Sequence, residues 1–543
     1  MSGYRSRMIL PEDRSTFCAG TTFRVRIMHG PTRTTGRRGG MSLSFASSIA
    51  VQSRARALVP LCVGAGAYLF FLYLGDTLLQ DSDSFWQIKI GQWILDHRAM
   101  PTTDFYSFTR AGAPWISTSW LSQMAFAFSH AQWGWAGPVI LTAVAVALAV
   151  AIFVHLLETQ IEAPRAVLFA MLALLLSVHH VLARPHILAL PAMVAWVGLL
   201  MASADRRSAP SWHLLPLMAL WANLHGGFVL GLALIGPISL EAVEHAEKGR
   251  RLALFMRWVL FGIGALIASC CTPYGWRTLL GAANILSLGE LLSLIFEWMP
   301  ANFATFTSFE GALLGLIAFG YYRGLVLSAP RIFLILFLTW SALTHVRSIE
   351  AFAFLVPLVL AKPLGEMFPR AAPDAAGADR RPARYVTVAG ALMIVAAGWT
   401  STSLYMGHHR FTFTMTQTPV AAVDVLEQRK AQRIFNAYQF GGYLISRDIP
   451  VFVDGRAELY GEKFVMDFFK ATEGKQPERL PRLLDEYRID ATLLVADAPG
   501  PQILDQLKGW KRIYSDDIAV IHVRTGAQAG GAPEAETPKD AFK

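Results

Sequence analysis

Residues 136–156 read AGPVILTAVAVALAVAIFVHL and contain no Asp, Glu, Lys or Arg. A helix needs about 20 apolar residues to cross a bilayer, so this stretch predicts a membrane span. In the whole chain 54% of the residues are hydrophobic and 16% are charged, whereas a soluble protein is about a quarter charged. The composition therefore indicates a protein that lies largely in lipid.

Similar apolar segments recur along residues 57–404 and predict a polytopic α-helical membrane domain with about 11 spans. The first loop of this domain, 76–135, also contains two amphipathic segments, 85–97 and 119–133, which predict helices lying at the membrane interface. The predicted spans lie near 57–75, 136–156, 166–183, 187–203, 212–224, 227–245, 253–271, 309–323, 330–345, 348–362 and 386–404.

Much of the basic charge behind the net +9 lies in the arm 1–56 and in short loops between the predicted spans. Lys and Arg in such loops mark the cytoplasmic side. We therefore expect membrane lipids rather than nucleic acid as partners, and a cytoplasmic N-terminus. In a Gram-negative bacterium the expected location is the inner (plasma) membrane, and the opposite side is the periplasm. The periplasmic side then carries the loops 76–135 and 272–308 and the C-terminal domain.

Residues 405–524 change character, because short β-branched runs alternate there with polar helical segments. This alternation predicts a small soluble α/β domain. Predicted strands lie at 433–435, 451–453, 491–495 and 518–523. The composition of the arm 1–56 and of the tail 525–543 predicts disorder.

Within the C-terminal domain, Asn436, Gly441–Gly442 and the run Asp454-Gly455-Arg456 lie at ends of predicted strands. Ligands bind at strand ends in α/β folds. The alternative, which we favour, is that the two glycines make a turn and that Asp454 pairs with Arg456. The sequence contains no glycine-rich phosphate loop.

Polar residues in the membrane domain are costly there, by about 2.5–3.5 kcal/mol at a helix centre, and are therefore candidates for function. In the predicted topology they all fall on the periplasmic side. Each also has a structural explanation, such as snorkelling of an Arg or a hydrogen bond between helices. The candidates are Asp81, Asp83, Arg184, His186, Asn223, His225, Glu297, His345 and Arg347.

A cluster of Arg and His beside carboxylates can bind a lipid phosphate and accept a proton from a hydroxyl. The hypothesis is a sugar transferase that acts at the membrane surface. Two alternatives remain open: a lipid or glycan transporter or flippase, and a non-catalytic protein of envelope assembly.

Several segments resemble the membrane-embedded GT-C class of glycosyltransferases, which includes protein mannosyltransferases and the lipid A aminoarabinose transferase. More closely, they resemble a group of largely uncharacterised bacterial proteins with the same layout. The matching segments include DSDSFWQIKIGQWIL (81–95), ARPHIL (183–188), LWANLHGGFVLG (220–231), HVRSIEAF (345–352) and VFVDGRAELYG (451–461).

The resemblance implies transfer of a sugar, by inversion, from a polyprenyl-phosphate carrier to a glycan, lipid or protein acceptor. It implies that Asp83, with Asp81, is the base or a ligand of a divalent cation, Mg or Mn. Arg184, His186, His225 and Arg347 become phosphate or sugar contacts by position. The other polar candidates, Asn223, Glu297 and His345, are expected to bind substrate with them. One departure concerns the metal, since Gln87 stands where relatives are expected to carry His.

Overall fold

The computed structural model describes residues 58–286, 288–369, 380–413 and 417–525. The predicted arm 1–56 lies outside these ranges. So does the predicted tail 525–543, apart from Thr525. Disorder in both segments stays a prediction.

Up to His408 the regular elements of the described chain are helices. They are α1 (Leu58–Tyr73), α2 (Asp83–His97), α3 (Trp120–Trp133), α4 (Ala136–Glu158), α5 (Ala163–Ser177), α6 (Pro185–Asp205), α7 (Leu215–Leu224), α8 (Phe228–Glu244), α9 (Arg251–Ser269), α10 (Arg277–Leu286), α11 (Ser308–Arg323), α12 (Ala329–Thr344), α13 (Ile349–Met367) and α14 (Arg380–His408). Short 3-10 turns lie at Gly75–Leu79, Trp212–Leu214, Lys248–Arg250, Gly289–Leu294, Phe296–Trp298 and Val346–Ser348.

Each predicted span overlaps one of these helices, so the helical membrane fold is confirmed, but the number of spans is not. Within the described residues, five helical segments are long and apolar enough to cross a bilayer by themselves: Ala136–Glu158, Pro185–Asp205, Lys248–Ser269, Val346–Met367 and Val388–His408. Leu58–Tyr73, Ala163–Ser177 and Ala329–Thr344 are apolar but shorter.

The helices differ in how deeply they are buried, which distinguishes helices inside the bundle from helices at its edge. The apolar window of α6 is 78% buried inside the protein, whereas that of α14 is 11% buried. A helix that is apolar on all sides belongs in a core, and α6 packs against α4, α8 and α13. Both ends of α6 thus lie among other helices, and each end carries a charged cluster.

The cluster at the C-terminal end of α6 is built around Arg331, whose side chain is 3% exposed. Its guanidinium lies 2.6 Å from Glu241, also contacts Asp205, and donates to the Val359 carbonyl. Buried charges persist only when they are paired in this way. The contacts link the C-terminal ends of α6 and α8 to the start of α12 and the middle of α13, so this cluster stabilises the packing of the four helices.

The C-terminal domain consists of a four-stranded sheet with flanking helices. The strand order is β1-β2-β4-β3, in which β1 and β2 are parallel and the other two pairs are antiparallel. The strands are β1 (Ile434–Asn436), β2 (Ala491–Val495), β3 (Trp510–Ser515) and β4 (Ala519–Arg524). The helices are α15 (Val420–Gln428), α16 (Gly441–Ser446), α17 (Ala457–Tyr460), α18 (Glu462–Thr472), α19 (Arg479–Glu486) and α20 (Pro499–Gln506).

The predicted strands agree with this sheet in part. Strand 491–495 is confirmed, and 433–435 and 518–523 are each displaced by one residue. The prediction of a strand at 451–453 is wrong, since Val451 forms only isolated bridges to Ser107 and Ile434. Strand β3 escapes prediction because it is largely exposed and lacks the alternation of a half-buried strand.

The glycine pair 441–442 does not make the expected turn but begins α16. A Cβ on Gly441 would stand 2.4 Å from the Val453 carbonyl oxygen, and one on Gly442 would stand 2.3 Å from the Ser82 carbonyl oxygen. Only glycine allows both backbones to come this close. Gly441 thus allows close packing inside the C-terminal domain, and Gly442 allows that domain to pack on the start of α2.

Helix α2 joins the membrane helices to the C-terminal domain. Its apolar residues Trp86 and Ile90 are buried in a core that they share with Phe440 and Leu444 of that domain. Lys89 on the same helix lies 2.7 Å from Asp448. The apolar face that predicted an interfacial helix is thus covered by protein.

Candidate active site at the N-terminal end of α6

Arg184 stands at the centre of the second charged cluster. It is an extended residue before α6, and Pro185 fixes the first turn of that helix. Its guanidinium lies 2.7 Å from Asp81 and 2.6 Å from Asp83, and it also contacts Glu297. Three carboxylates from two separate parts of the chain therefore converge on one cation.

Asp83, the first residue of α2, is held from several sides. Besides Arg184, the indole N–H of Trp86 donates to its Oδ1 at 3.0 Å, and its own N–H donates to Asp81 at 2.9 Å. A Cβ on Gly455 would stand 2.2 Å from Oδ1. This carboxylate is confined between α2 and the C-terminal domain and has little room to move.

Burial raises the pKa of Asp83 to about 6, against the opposing charge of Arg184. Burial would by itself lower the pKa of Arg184, but the charges of Asp81 and Asp83 raise it. Near pH 7 the arginine is therefore a fixed cation, whereas Asp83 is a carboxylate that takes up a proton at a mildly acidic pH. A group poised in this way is suited to proton transfer.

Glu297 links Arg184 to a second arginine. One of its oxygens contacts Arg184, and the other lies 3.9 Å from Nη1 of Arg347. The guanidinium of Arg347 stands over the ring of Trp298, 4.5 Å from its centroid, and 33% of the Arg347 side chain is exposed. Arg347 is thus the more accessible of the two cations.

The two predicted histidines lie next to each other at this end, with ring centroids 6.2 Å apart for His186 and His225. Burial lowers the pKa of His225 to about 3, and the charges of Arg347 and Arg184 act in the same direction. His225 is neutral near pH 7, and because its Nδ1 accepts the Gly227 N–H it carries its proton on Nε2. The positive charge of the site therefore comes from the arginines.

Two other predicted residues are engaged elsewhere. The side-chain oxygen of Asn223 accepts the Trp120 indole N–H at 2.8 Å, and its amide nitrogen donates to the Cys271 carbonyl at 2.9 Å. These bonds match the structural alternative for this residue, a link between helices. The His345 ring packs edge-on against Trp298, with the two ring centroids 5.4 Å apart.

Three residues that the sequence did not single out for this site belong to it. Gly455 borders Asp83, as described. Tyr438 is coupled electrostatically to Asp83, and burial raises its pKa, so that it keeps its proton. Glu350, at the start of α13, is 9% exposed. A signal for Glu350 was its position three residues after Arg347, which places both side chains on one face of a helical turn.

A third arginine cluster lies just beyond Gly455. Arg456 makes two hydrogen bonds to Asp454, at 2.8 and 2.6 Å, and one to Asp104 at 2.6 Å. Tyr460 donates a further hydrogen bond to Asp454. The side chains of all three ionised residues are 0% exposed. The predicted Asp454–Arg456 ion pair is confirmed.

The carboxylates around Arg184 have the oxygen chemistry that Mg²⁺ and Mn²⁺ prefer. Here, however, Asp81, Asp83 and Glu297 all contact the Arg184 guanidinium, which occupies the space between them where an ion would bind. Gln87 instead accepts a hydrogen bond from Gln123 at 2.6 Å. The arrangement does not fit a resident divalent cation.

No protein-family model matches the sequence, and no curated protein matches it. Solved structures of similar architecture exist. These neighbours are GT-C-type glycosyltransferases. The archaeal oligosaccharyltransferase AglB from Archaeoglobus fulgidus, in complex with an inhibitory peptide and a dolichol-phosphate, has a TM-score of 0.49 at 13% identity. That alignment covers 81% of this chain and 69% of that chain.

A second neighbour is ArnT from Cupriavidus metallidurans bound to undecaprenyl phosphate. Its TM-score is 0.42 at 13% identity, and the alignment covers 87% of this chain and 99% of that one.

Proposed function

We propose that this protein is a membrane-embedded glycosyltransferase that moves a sugar from a polyprenyl-phosphate carrier to an acceptor at the periplasmic face. The observation that carries the proposal is the convergence of Asp81, Asp83 and Glu297 on Arg184, with Arg347 beside them. Costly charged groups from four parts of the chain meet at one end of the helices. One of them, Asp83, has a pKa suited to a base.

The two arginines supply the phosphate-binding part of the site. A guanidinium forms paired hydrogen bonds to phosphate oxygens, and its charge does not depend on pH. Arg347, with a third of its side chain exposed, receives the phosphate, while Arg184 keeps its carboxylates and stabilises the negative charge that develops on the leaving group.

Asp83 is the base in this proposal. The acceptor hydroxyl attacks the anomeric carbon, the bond from that carbon to the phosphate oxygen breaks, and the polyprenyl phosphate leaves with the electron pair. The hydroxyl proton passes to the Asp83 carboxylate. Attack from the face opposite the phosphate inverts the anomeric centre. No step requires a metal ion, because Arg184 provides the positive charge beside the base.

The C-terminal domain forms one wall of the site. Gly455 borders Asp83, Tyr438 interacts with the Asp83 charge, and Gly442 packs on Ser82. The sheet domain and the charged cluster must therefore lie on the same side of the membrane, which is periplasmic in the predicted topology. The acceptor, a glycan, lipid or protein, approaches from this side.

The proposal is tested by Asp83→Asn in proteoliposomes that contain a polyprenyl-phosphate sugar and a membrane extract as acceptor source. We expect sugar transfer to fall by about 10²–10⁴-fold, the usual contribution of a general base. Asp96→Asn, on an exposed part of the same helix, is the matched control and should keep full activity. Wild-type transfer rates in correctly inserted Asp83→Asn would disprove the assignment.

A further inference from the structure

Glu350 is a carboxylate in the site that the proposed reaction leaves unused. It lies in the first turn of α13, directly after the 3-10 turn that carries Arg347. Its side chain is 9% exposed, and its Oε1 is buried without a hydrogen-bond partner within the described chain. A buried carboxylate oxygen without a partner is strongly unfavourable.

A purely structural role would give Glu350 a partner. Acidic residues at the start of a helix usually accept a backbone N–H or act as a cap. Helix α13 has no such side-chain cap bond. By contrast, α11 is capped by Thr307, the residue before its first turn, whose hydroxyl accepts the Glu310 N–H. Glu350 is therefore not explained by the stability of its helix.

Arg347 is the complementary group beside Glu350. Its charge acts on the Glu350 carboxylate, and its described contacts are the Trp298 ring and the 3.9 Å approach to Glu297. Arg347 thus offers N–H donors to an anion, and Glu350, three residues later, offers a carboxylate oxygen that has no donor within the described chain. A ligand that fits both must present a phosphate and, next to it, a hydroxyl or amino group.

We propose that Glu350 binds the sugar of the donor substrate, by accepting a hydrogen bond from a hydroxyl or amino group next to the phosphate that Arg347 holds. This inference rests on the proposed function and adds a residue that selects the glycosylated carrier over the bare carrier. A buried carboxylate suits selection, because it is left unpaired whenever the sugar is absent. The product, a bare polyprenyl phosphate, then binds less tightly than the substrate and leaves the site.

The test measures equilibrium binding of short prenyl phosphates to the full-length protein in detergent. The ligands are prenyl phosphate alone and the same prenyl phosphate carrying glucose, mannose, galactose or 4-amino-arabinose. We expect the wild type to prefer at least one glycosylated ligand. Glu350→Ala should remove about 10–100-fold of that preference, the contribution of a hydrogen bond to a charged group. Its affinity for prenyl phosphate alone should not fall, since Arg347 remains and a negative charge near the phosphate is removed.

Three variants complete the design. Glu350→Gln keeps the side-chain volume and should lose part of the preference, which covers the case that the alanine variant folds poorly. Arg347→Ala should weaken both kinds of ligand together. Glu310→Gln, at the start of α11, should change neither.

The outcomes separate the two proposals. Wild-type protein that binds no prenyl phosphate would overturn the proposed function. Wild-type protein that binds prenyl phosphate but prefers no sugar, or an unchanged preference in both Glu350 variants, would overturn the inference alone. Equal loss of both ligand kinds in Glu350→Ala would make Glu350 a positioning residue for Arg347 and would also overturn it.

Discussion

Arg184 and Arg456 are both surrounded by carboxylates, yet the two clusters differ in nearly every other property. Arg456 makes three hydrogen bonds to Asp454 and Asp104, and none of these side chains is exposed. Arg184 is 17% exposed, and its partners Asp81 and Asp83 are 18% and 21% exposed. One cluster is sealed and the other opens to the surface.

The two clusters also differ in the pKa of their carboxylates. Burial raises the pKa of Asp454, but the charge and hydrogen bonds of Arg456 more than offset this and hold it below its ordinary value. For Asp83 burial prevails, and its pKa rises to about 6. Similar groups thus give a permanent ion pair in one place and a titratable base in the other. Satisfied polar networks stabilise a fold, whereas perturbed carboxylates accompany chemistry.

The largest effect that separates the clusters should come from Asp454→Ala. This change leaves Arg456 buried with one remaining carboxylate, and removing a partner from a buried pair costs about 3–5 kcal/mol. We expect a large loss of thermal stability in detergent. Asp81→Ala should cost far less, because Arg184 keeps Asp83 and Glu297. Equal melting temperatures for these two variants would contradict the distinction.

The sequence predicted the parts of this comparison unequally. Asp81, Asp83 and Arg184 stood out because charged residues are rare in apolar surroundings. The Asp454–Arg456 pair was the structural alternative to a ligand site at the strand ends. The contact of Gly455 with Asp83 could not be predicted, since it joins residues that are far apart in the chain. A glycine in the sequence does not indicate which distant residue it will contact in the folded protein.

The limits of prediction have the same cause elsewhere. The interfacial position expected for α2 followed from its apolar face. Such a face can be buried against lipid or against protein, and the sequence does not distinguish the two. Asn223 was a polar group at a helix end. Its partner, the Trp120 indole, lies far away in the sequence, so the residues around Asn223 could not predict it. Local patterns gave the helices, while partners depended on tertiary contacts.

The next effect tests whether the fixed position of Asp83 matters. Gly455→Ala would place a methyl group 2.2 Å from Asp83 Oδ1 and displace the carboxylate. Because a shift of about 1 Å in an active site costs about 10²-fold in rate, transfer should fall by that order with little change in stability.

Two glycine variants control this result. Gly441→Ala meets backbone atoms of Val453 and Asp454 and should lower stability rather than activity alone. Gly249→Ala meets no atom within 4 Å and should change neither. Full activity in Gly455→Ala would show that Asp83 tolerates movement.

The pH dependence should reflect the opposite pKa shifts. As a base, Asp83 must be ionised, so kcat/KM should fall by about tenfold per pH unit below its pKa, which is about 6. A profile that stays flat from pH 7 to 4.5 would exclude Asp83 as the base.

Stability responds to the same protons. The folded protein binds a proton at Asp83 more readily than the unfolded chain does, so its contribution to stability increases as pH falls from about 6 towards the ordinary value of 3.8. Asp454 acts in reverse, because its lowered pKa gives stability that is lost as the pH falls through that pKa. Asp83→Asn should remove the first contribution and leave the second.

The smallest effect is expected from a chelator. If Arg184 supplies the charge that a divalent cation would provide, EDTA should change the transfer rate by less than about twofold, whereas a metal-dependent site loses its function when the ion is removed. The measurement is transfer by protein purified in EDTA, with and without added Mg²⁺ or Mn²⁺. Loss of activity that Mg²⁺ or Mn²⁺ restores would mean that Asp81 and Asp83 release Arg184 to bind an ion. The open cluster would then differ from the sealed one in a further respect, since its carboxylates could exchange one cation for another, which Asp454 and Asp104, buried around Arg456, cannot do.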